Sequence, residues 1–138
     1  MKGLDTNVLV RYFTQDDPVQ SVAAERCIQS TCTADQPGLI HAVVLCELVW
    51  VLETAYGNSR DQIVNVLGLV LRTRQLQVQD REIMREALTV YRSGKADFAD
   101  AVIGQVIVPL VVKRLTPSTR RRLACQNLQL YEQFSAIA

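Results

Sequence analysis

The sequence predicts an α/β domain on three observations. Short strand candidates at residues 2–5, 39–40 and 76–78 are separated by long helix-forming stretches. The first ends in a polar corner, Asp5-Thr6-Asn7, that runs straight into Val8-Leu9-Val10-Arg11-Tyr12-Phe13, the first half of a βα unit. The chain has 138 residues, 49% of them apolar, which fits a single domain with a sizeable core.

Composition narrows the classes. No apolar run approaches the ~20 residues of a membrane-spanning helix. Met1-Lys2-Gly3-Leu4-Asp5 is not a signal peptide, because one cation is followed by an acid and no apolar segment. Cys27, Cys32, Cys46 and Cys125 lack metal spacing, and His41 is the only histidine. They read as reduced, mostly buried thiols of a cytoplasmic protein. The net charge of +1 hides an asymmetry. Residues 1–100 carry ten Lys/Arg against thirteen Asp/Glu; residues 101–138 carry Lys113, Arg114, Arg120, Arg121 and Arg122 against Glu132 alone.

Each element has a local reason. Asp16-Asp17-Pro18 reads as a solvated turn that ends one helix and starts the next, since proline suits a first helical turn. The helix over 19–30 is expected to turn Val22, Ala23, Cys27 and Ile28 inward. Residues 31–37 form a polar loop before the strand candidate Leu39-Ile40, and His41 follows as a structural or surface residue. Residues 42–56 are the most apolar helix candidate, stopped by Gly57-Asn58. Ser59 caps a helix to Arg72 whose inward face is Ile63, Val66, Leu67 and Val70. These two helices form a hairpin suited to self-association. Leu76-Gln77-Val78 is a strand candidate. Asp80 caps the helix 81–92, with Ile83, Ala87, Leu88 and Tyr91 inward, and Ser93-Gly94-Lys95 is a loop. A helix then runs from about residue 101 to 108, and Val106 to Val112 reads as a possible strand.

Four acids stand out from this frame. Asp5 lies at a strand end, where α/β folds place their sites, although it also suits a helix cap. Glu47 is flanked by Val43, Val44, Leu48, Trp50 and Val51, so it is expected to be buried and to need a base, a proton or a cation. Asp97 and Asp100 are three apart and share one face of a helix start. Asp97 caps that helix or joins in chemistry; Asp100 sits in its first turn, where the helix dipole favours an anion. Clustered acids raise one another's pKa, and a hard divalent cation with oxygen ligands relieves the conflict. Such an ion suits phosphodiester hydrolysis by activating water. A phosphatase with Asp5 as nucleophile is a weaker reading, for which Lys95 is the nearest candidate lysine.

Leu4-Asp5-Thr6-Asn7-Val8-Leu9-Val10, Cys46-Glu47-Leu48 and Ala96-Asp97-Phe98-Ala99-Asp100-Ala101-Val102-Ile103 together resemble the acidic motifs of PIN-domain ribonucleases, and most closely those of VapC-type toxins of toxin–antitoxin modules. The resemblance covers residues 1 to about 105. It implies a three-layer α/β/α domain around a small central parallel sheet. It implies Mg²⁺- or Mn²⁺-dependent endonucleolytic cleavage of RNA, a homodimer, and inhibition by a cognate antitoxin protein. Asp5, Glu47 and Asp100 carry over as the core catalytic and metal-binding acids, with Asp97 as an auxiliary acid or a cap. Thr6, Asn7 and Arg11 are weaker candidates for contact with RNA. The chain departs from the family after that point: residues 105–131 contain no Asp or Glu. That leaves two readings, an active nuclease and a degenerate PIN module that binds an antitoxin or RNA without efficient cleavage. Residues 105–138 are expected to be divergent or poorly ordered. The basic run 113–122 either holds phosphates or keeps the tail solvated.

Overall fold

The computed structural model describes residues 2–112. Residues up to Arg81 form one compact unit and residues from Glu82 a second. In the first, β1 (Lys2–Gly3), α1 (Thr6–Thr14), α2 (Pro18–Thr31), β2 (Gly38–Ile40), α3 (Ala42–Thr54), α4 (Arg60–Arg72) and β3 (Leu76–Val78) follow in that order. The strands pair in the order β1-β2-β3, all parallel, with Gly3 opposite Leu39 and Leu39 opposite Gln77. Parallel neighbours require helical crossovers, which α1 to α4 supply. With α5 (Arg81–Arg92) and α6 (Phe98–Val112), the described residues comprise six helices and a small parallel three-stranded sheet, as expected of an α/β/α fold of this kind.

Helix starts follow local chemistry. Asp17 accepts from the backbone N–H groups of Val19 and Gln20, with Pro18 in the first turn. Ser59 and Gln62 form a reciprocal capping box at α4. His41 caps α3, its Nδ1 accepting from Val43 at 3.2 Å. Gly57 ends the following turn at φ +63°, a conformation that costs glycine little.

The core of the first unit is built from Leu9, Ile40, Leu45, Leu48, Leu52, Ile63, Leu67 and Val70, all fully buried. α1 packs on α2 and α3, α3 on α4, and α4 on β3. Gly38 in the middle strand leaves room for its neighbours, because a Cβ there would stand 2.7 Å from Cys32 Sγ and 2.8 Å from Leu4 Cδ1. In the second unit α5 buries Met84, Ala87 and Tyr91, and α6 buries Phe98, Ala101 and Val102. Tyr91 meets Phe98 edge to face, with ring centroids 5.9 Å apart.

Several expectations are corrected. α2 turns Ser21, Ala24 and Ile28 inward, while Val22, Ala23 and Cys27 are exposed. The weakly amphipathic sequence leaves the facing undecided, and packing against α1 decides it. On α5 Met84 is buried with Ala87 and Tyr91, while Ile83 and Leu88 are half-buried. Cys32 is buried, but Cys27 is exposed and Cys46 half-buried. Residues 106–112 continue α6 and form no strand. A single glycine such as Gly104 is tolerated within a helix, and extending one costs less than starting a new element. The basic run 113–122 and the rest of the expected divergent segment lie outside the described residues. Among the described residues no helix is long and apolar enough to cross a membrane.

Candidate active site

The first two acids come from the corner where β1 hands over to α1 and from α3. Asp5 is extended (φ −90°, ψ 170°) and caps α1, its Oδ1 accepting from Val8 N at 2.9 Å. Asp5 thus serves as the cap that its position also suits. Its side chain is exposed, and among the described residues its Oδ2 has no hydrogen-bond partner. The next residue, Thr6, donates from Oγ1 to Glu47 Oε2 at 2.5 Å, across 41 positions. One bond thus ties the first acidic motif to the second.

Glu47 is exposed, contrary to the expected burial. α3 is apolar nearly all round, so its sequence does not say which face goes inward. The buried positions are Leu45, Leu48, Val49 and Leu52. Val43, Glu47 and Trp50 recur at helical spacing on the opposite side. Val43 is 57% and Trp50 65% exposed, so Glu47 has solvent, not a closed apolar wall, on its side.

The second pair lies on one turn in the second unit. Asp97 caps α6: its Oδ1 accepts from Asp100 N at 2.8 Å, and its carbonyl accepts from Ala101 N at 3.0 Å. Buried Phe98 and Ala101 anchor the same turn, which leaves Asp97 and Asp100 exposed. Among the described residues the Asp100 carboxylate has no hydrogen-bond partner. Each of the two Asp-containing motifs therefore spends one carboxylate on a cap, Asp5 on α1 and Asp97 on α6.

These donors are carboxylate oxygens, the set that a hard cation such as Mg²⁺ or Mn²⁺ takes, and they are open to solvent. Among the described residues no group of three or more His, Cys, Asp or Glu side chains is gathered around one point fit for a metal. The arrangement within the first unit is a pair, Asp5 and Glu47, joined through Thr6.

Asp16 departs most from its expected part. It is not a simple solvated turn residue. Arg11 Nη1 donates to its two oxygens at 2.9 and 2.8 Å, Thr14 donates at 3.0 Å, and the Tyr56 hydroxyl donates at 2.7 Å. Tyr56, then Arg11, hold the Asp16 carboxyl well below the usual carboxylate range. The bond to Asp16 in turn pushes the Arg11 guanidinium up. Arg11 is thus engaged in an ion pair at the end of α1, and Asn7 is exposed at its start. Sequence spacing offers no sign of the part played by Thr6 or Tyr56, since each reaches a partner some forty positions away.

The PIN domain family model matches residues 3–108, so the chain belongs to the PIN domain family. It is similar to a VapC ribonuclease of Aquifex aeolicus (strain VF5), with 24% identity over 136 residues that cover 96% of this chain and 99% of that protein. The resemblance carried by the three acidic motifs is borne out. No solved structure matches the chain significantly.

Proposed function

We propose that the chain is a metal-dependent endoribonuclease that acts as the toxin of a toxin–antitoxin module. The observation that carries this reading is the Thr6–Glu47 contact, which joins the first two acidic motifs in a chain of the PIN family. The similarity to a VapC ribonuclease along nearly the whole chain supports the toxin assignment.

In this reading Asp5, Glu47 and Asp100 are the core acids that serve Mg²⁺ or Mn²⁺, with Asp97 as cap and auxiliary acid. When bound, such an ion supplies a more acidic water and neutralises charge that builds on phosphorus. The chain's own part is positioning. The cap fixes Asp5 at the start of α1, Thr6 fixes Glu47, and the Phe98 anchor fixes the turn that bears Asp100. In the same reading the exposed Asn7 touches the RNA backbone, whereas Arg11, paired with Asp16, does so only by leaving it.

The partners follow the same reading: an RNA substrate, a cognate antitoxin protein and a second copy of the chain. Exposed Val43 and Trp50 on α3 and Leu69 on α4, in a helix pair that packs together, support a homodimer through that hairpin. The thiols of Cys27 and Cys32 suit the cytoplasm.

The lack of any Asp or Glu in residues 105–131 favours a second reading, a PIN module that binds its partners but cuts poorly. The deciding experiment is RNA cleavage with and without Mg²⁺, set beside the Asp5→Asn variant. Cleavage that needs both the ion and Asp5 supports the nuclease. Cleavage by Asp5→Asn equal to the parent overturns it. A parent that neither cleaves nor binds Mn²⁺ through its carboxylates points to the degenerate module.

A further inference from the structure

We propose that Arg11 and Tyr56 form a phosphate subsite that the chain itself keeps shut: the Asp16 carboxylate occupies the place of a backbone phosphate of single-stranded RNA and gives way to it. This rests on the reading of RNA as the substrate.

The donor set carries the inference. Arg11 Nη1 donates to both Asp16 oxygens, at 2.9 and 2.8 Å, and the Tyr56 hydroxyl donates to Oδ2 at 2.7 Å. One donor comes from α1 and the other from the turn after α3, yet both aim at a single anionic group. A guanidinium and a hydroxyl converging on one point suit any oxyanion, and phosphate above all. The occupant is the chain's own acid, carried on the short corner between α1 and α2.

The occupant is also replaceable. The Arg11 and Asp16 side chains keep 32% and 36% of their surface open, and an ion pair so exposed holds weakly. The pair engages one guanidinium nitrogen rather than two; among the described residues Nη2 and Nε have no partner. A phosphate can take two parallel N–H bonds from that fork, the stronger form. While Asp16 stays, its charge and that of neighbouring Asp17 oppose an incoming phosphate, so the exchange must come first.

The place suits a flanking phosphate. Arg11 follows Asp5 along α1 by about 9 Å of helix rise. Arg11 and the exposed Asn7 are four apart and share one face of that helix. A strand seated at Asp5 thus has its next phosphates within range of Arg11. The acid at position 16 makes binding at this corner conditional on a ligand that can outbid an internal carboxylate.

The test is binding of a fluorescently labelled single-stranded oligoribonucleotide to the full chain, followed by anisotropy in EDTA so that the strand stays whole. Asp16→Ala is expected to bind about 2–5-fold more tightly than the parent, the size of an exposed ion pair. Asp17→Asn removes the same charge next door, keeps an oxygen for its cap, and should gain less. Adding Arg11→Gln to Asp16→Ala should cancel the gain. Thermal melts show which variants fold, and Asp16→Asn, expected to shift affinity in the same direction, replaces Asp16→Ala if alanine unfolds the chain. Asp16→Ala binding no tighter than the parent overturns the inference and makes the cluster a brace. Asp17→Asn gaining as much as Asp16→Ala also overturns it, because net charge then explains the gain. A gain that survives Arg11→Gln does the same. RNA that binds neither the parent nor any variant overturns the RNA reading, and this inference with it.

Discussion

The Tyr56 hydroxyl donates to Asp16 Oδ2 at 2.7 Å, joining the turn after α3 to the corner between α1 and α2. Asp16 also receives Arg11 and Thr14, so one carboxylate gathers three donors. Its folded pKa lies below its unfolded value, so its stabilisation is fully present above the ordinary Asp range, near about 4. It is lost as pH falls through the depressed folded value. Tyr56→Phe should therefore lower the thermal midpoint at neutral pH and flatten the loss of stability on acidification below about pH 4. Because the pair is exposed, the effect should be small and shrink in high salt, which melting curves at two ionic strengths will show.

Asp5 has two duties that separate by substitution. Asparagine keeps an oxygen for Val8 N, so Asp5→Asn should fold as the parent does and lose RNA cleavage. Asp5→Ala should lose cleavage and also about 1 kcal/mol of stability with the cap. Urea unfolding beside a cleavage assay distinguishes the two.

The same logic splits Asp97 from Asp100. Asp97→Ala removes a cap and should cost about 0.5–2 kcal/mol, which Asp97→Asn largely restores. Asp100 bonds no described residue through its carboxylate, so Asp100→Asn should leave stability nearly unchanged while abolishing cleavage.

Gly38→Ala should destabilise by about 1–3 kcal/mol, because the added methyl meets two buried groups at 2.7 and 2.8 Å. Removing one of them, with Cys32→Ala in the same chain, should recover part of the loss. Two losses that simply add would show that the clash is not the cause.

Two neighbours on α3 should behave oppositely. Leu52 is fully buried, and Leu52→Ala should cost about 2–5 kcal/mol. Trp50 is 65% exposed, so Trp50→Ala should leave the monomer's stability nearly unchanged but weaken self-association. Sedimentation velocity over a range of concentrations checks the second outcome.

The sequence alone determined the α/β class, most helix starts and the three acidic motifs. These are local features: a serine answered by a glutamine three positions on, a proline in a first turn, an aspartate before an apolar run. Each works through bonds within one turn of chain, so spacing reveals it. The family resemblance rests on the order of such motifs and was legible for the same reason. Only the tertiary structure decided which side of α3 faces the core, and hence that Glu47 meets solvent. Periodicity is blind there, because a helix apolar on every side has no face to choose until something packs on it. The tertiary structure likewise assigned Thr6 to Glu47 and Tyr56 to Asp16. A hydroxyl bonds whatever acceptor the fold brings within 3 Å, and contacts across forty positions leave no trace in local spacing.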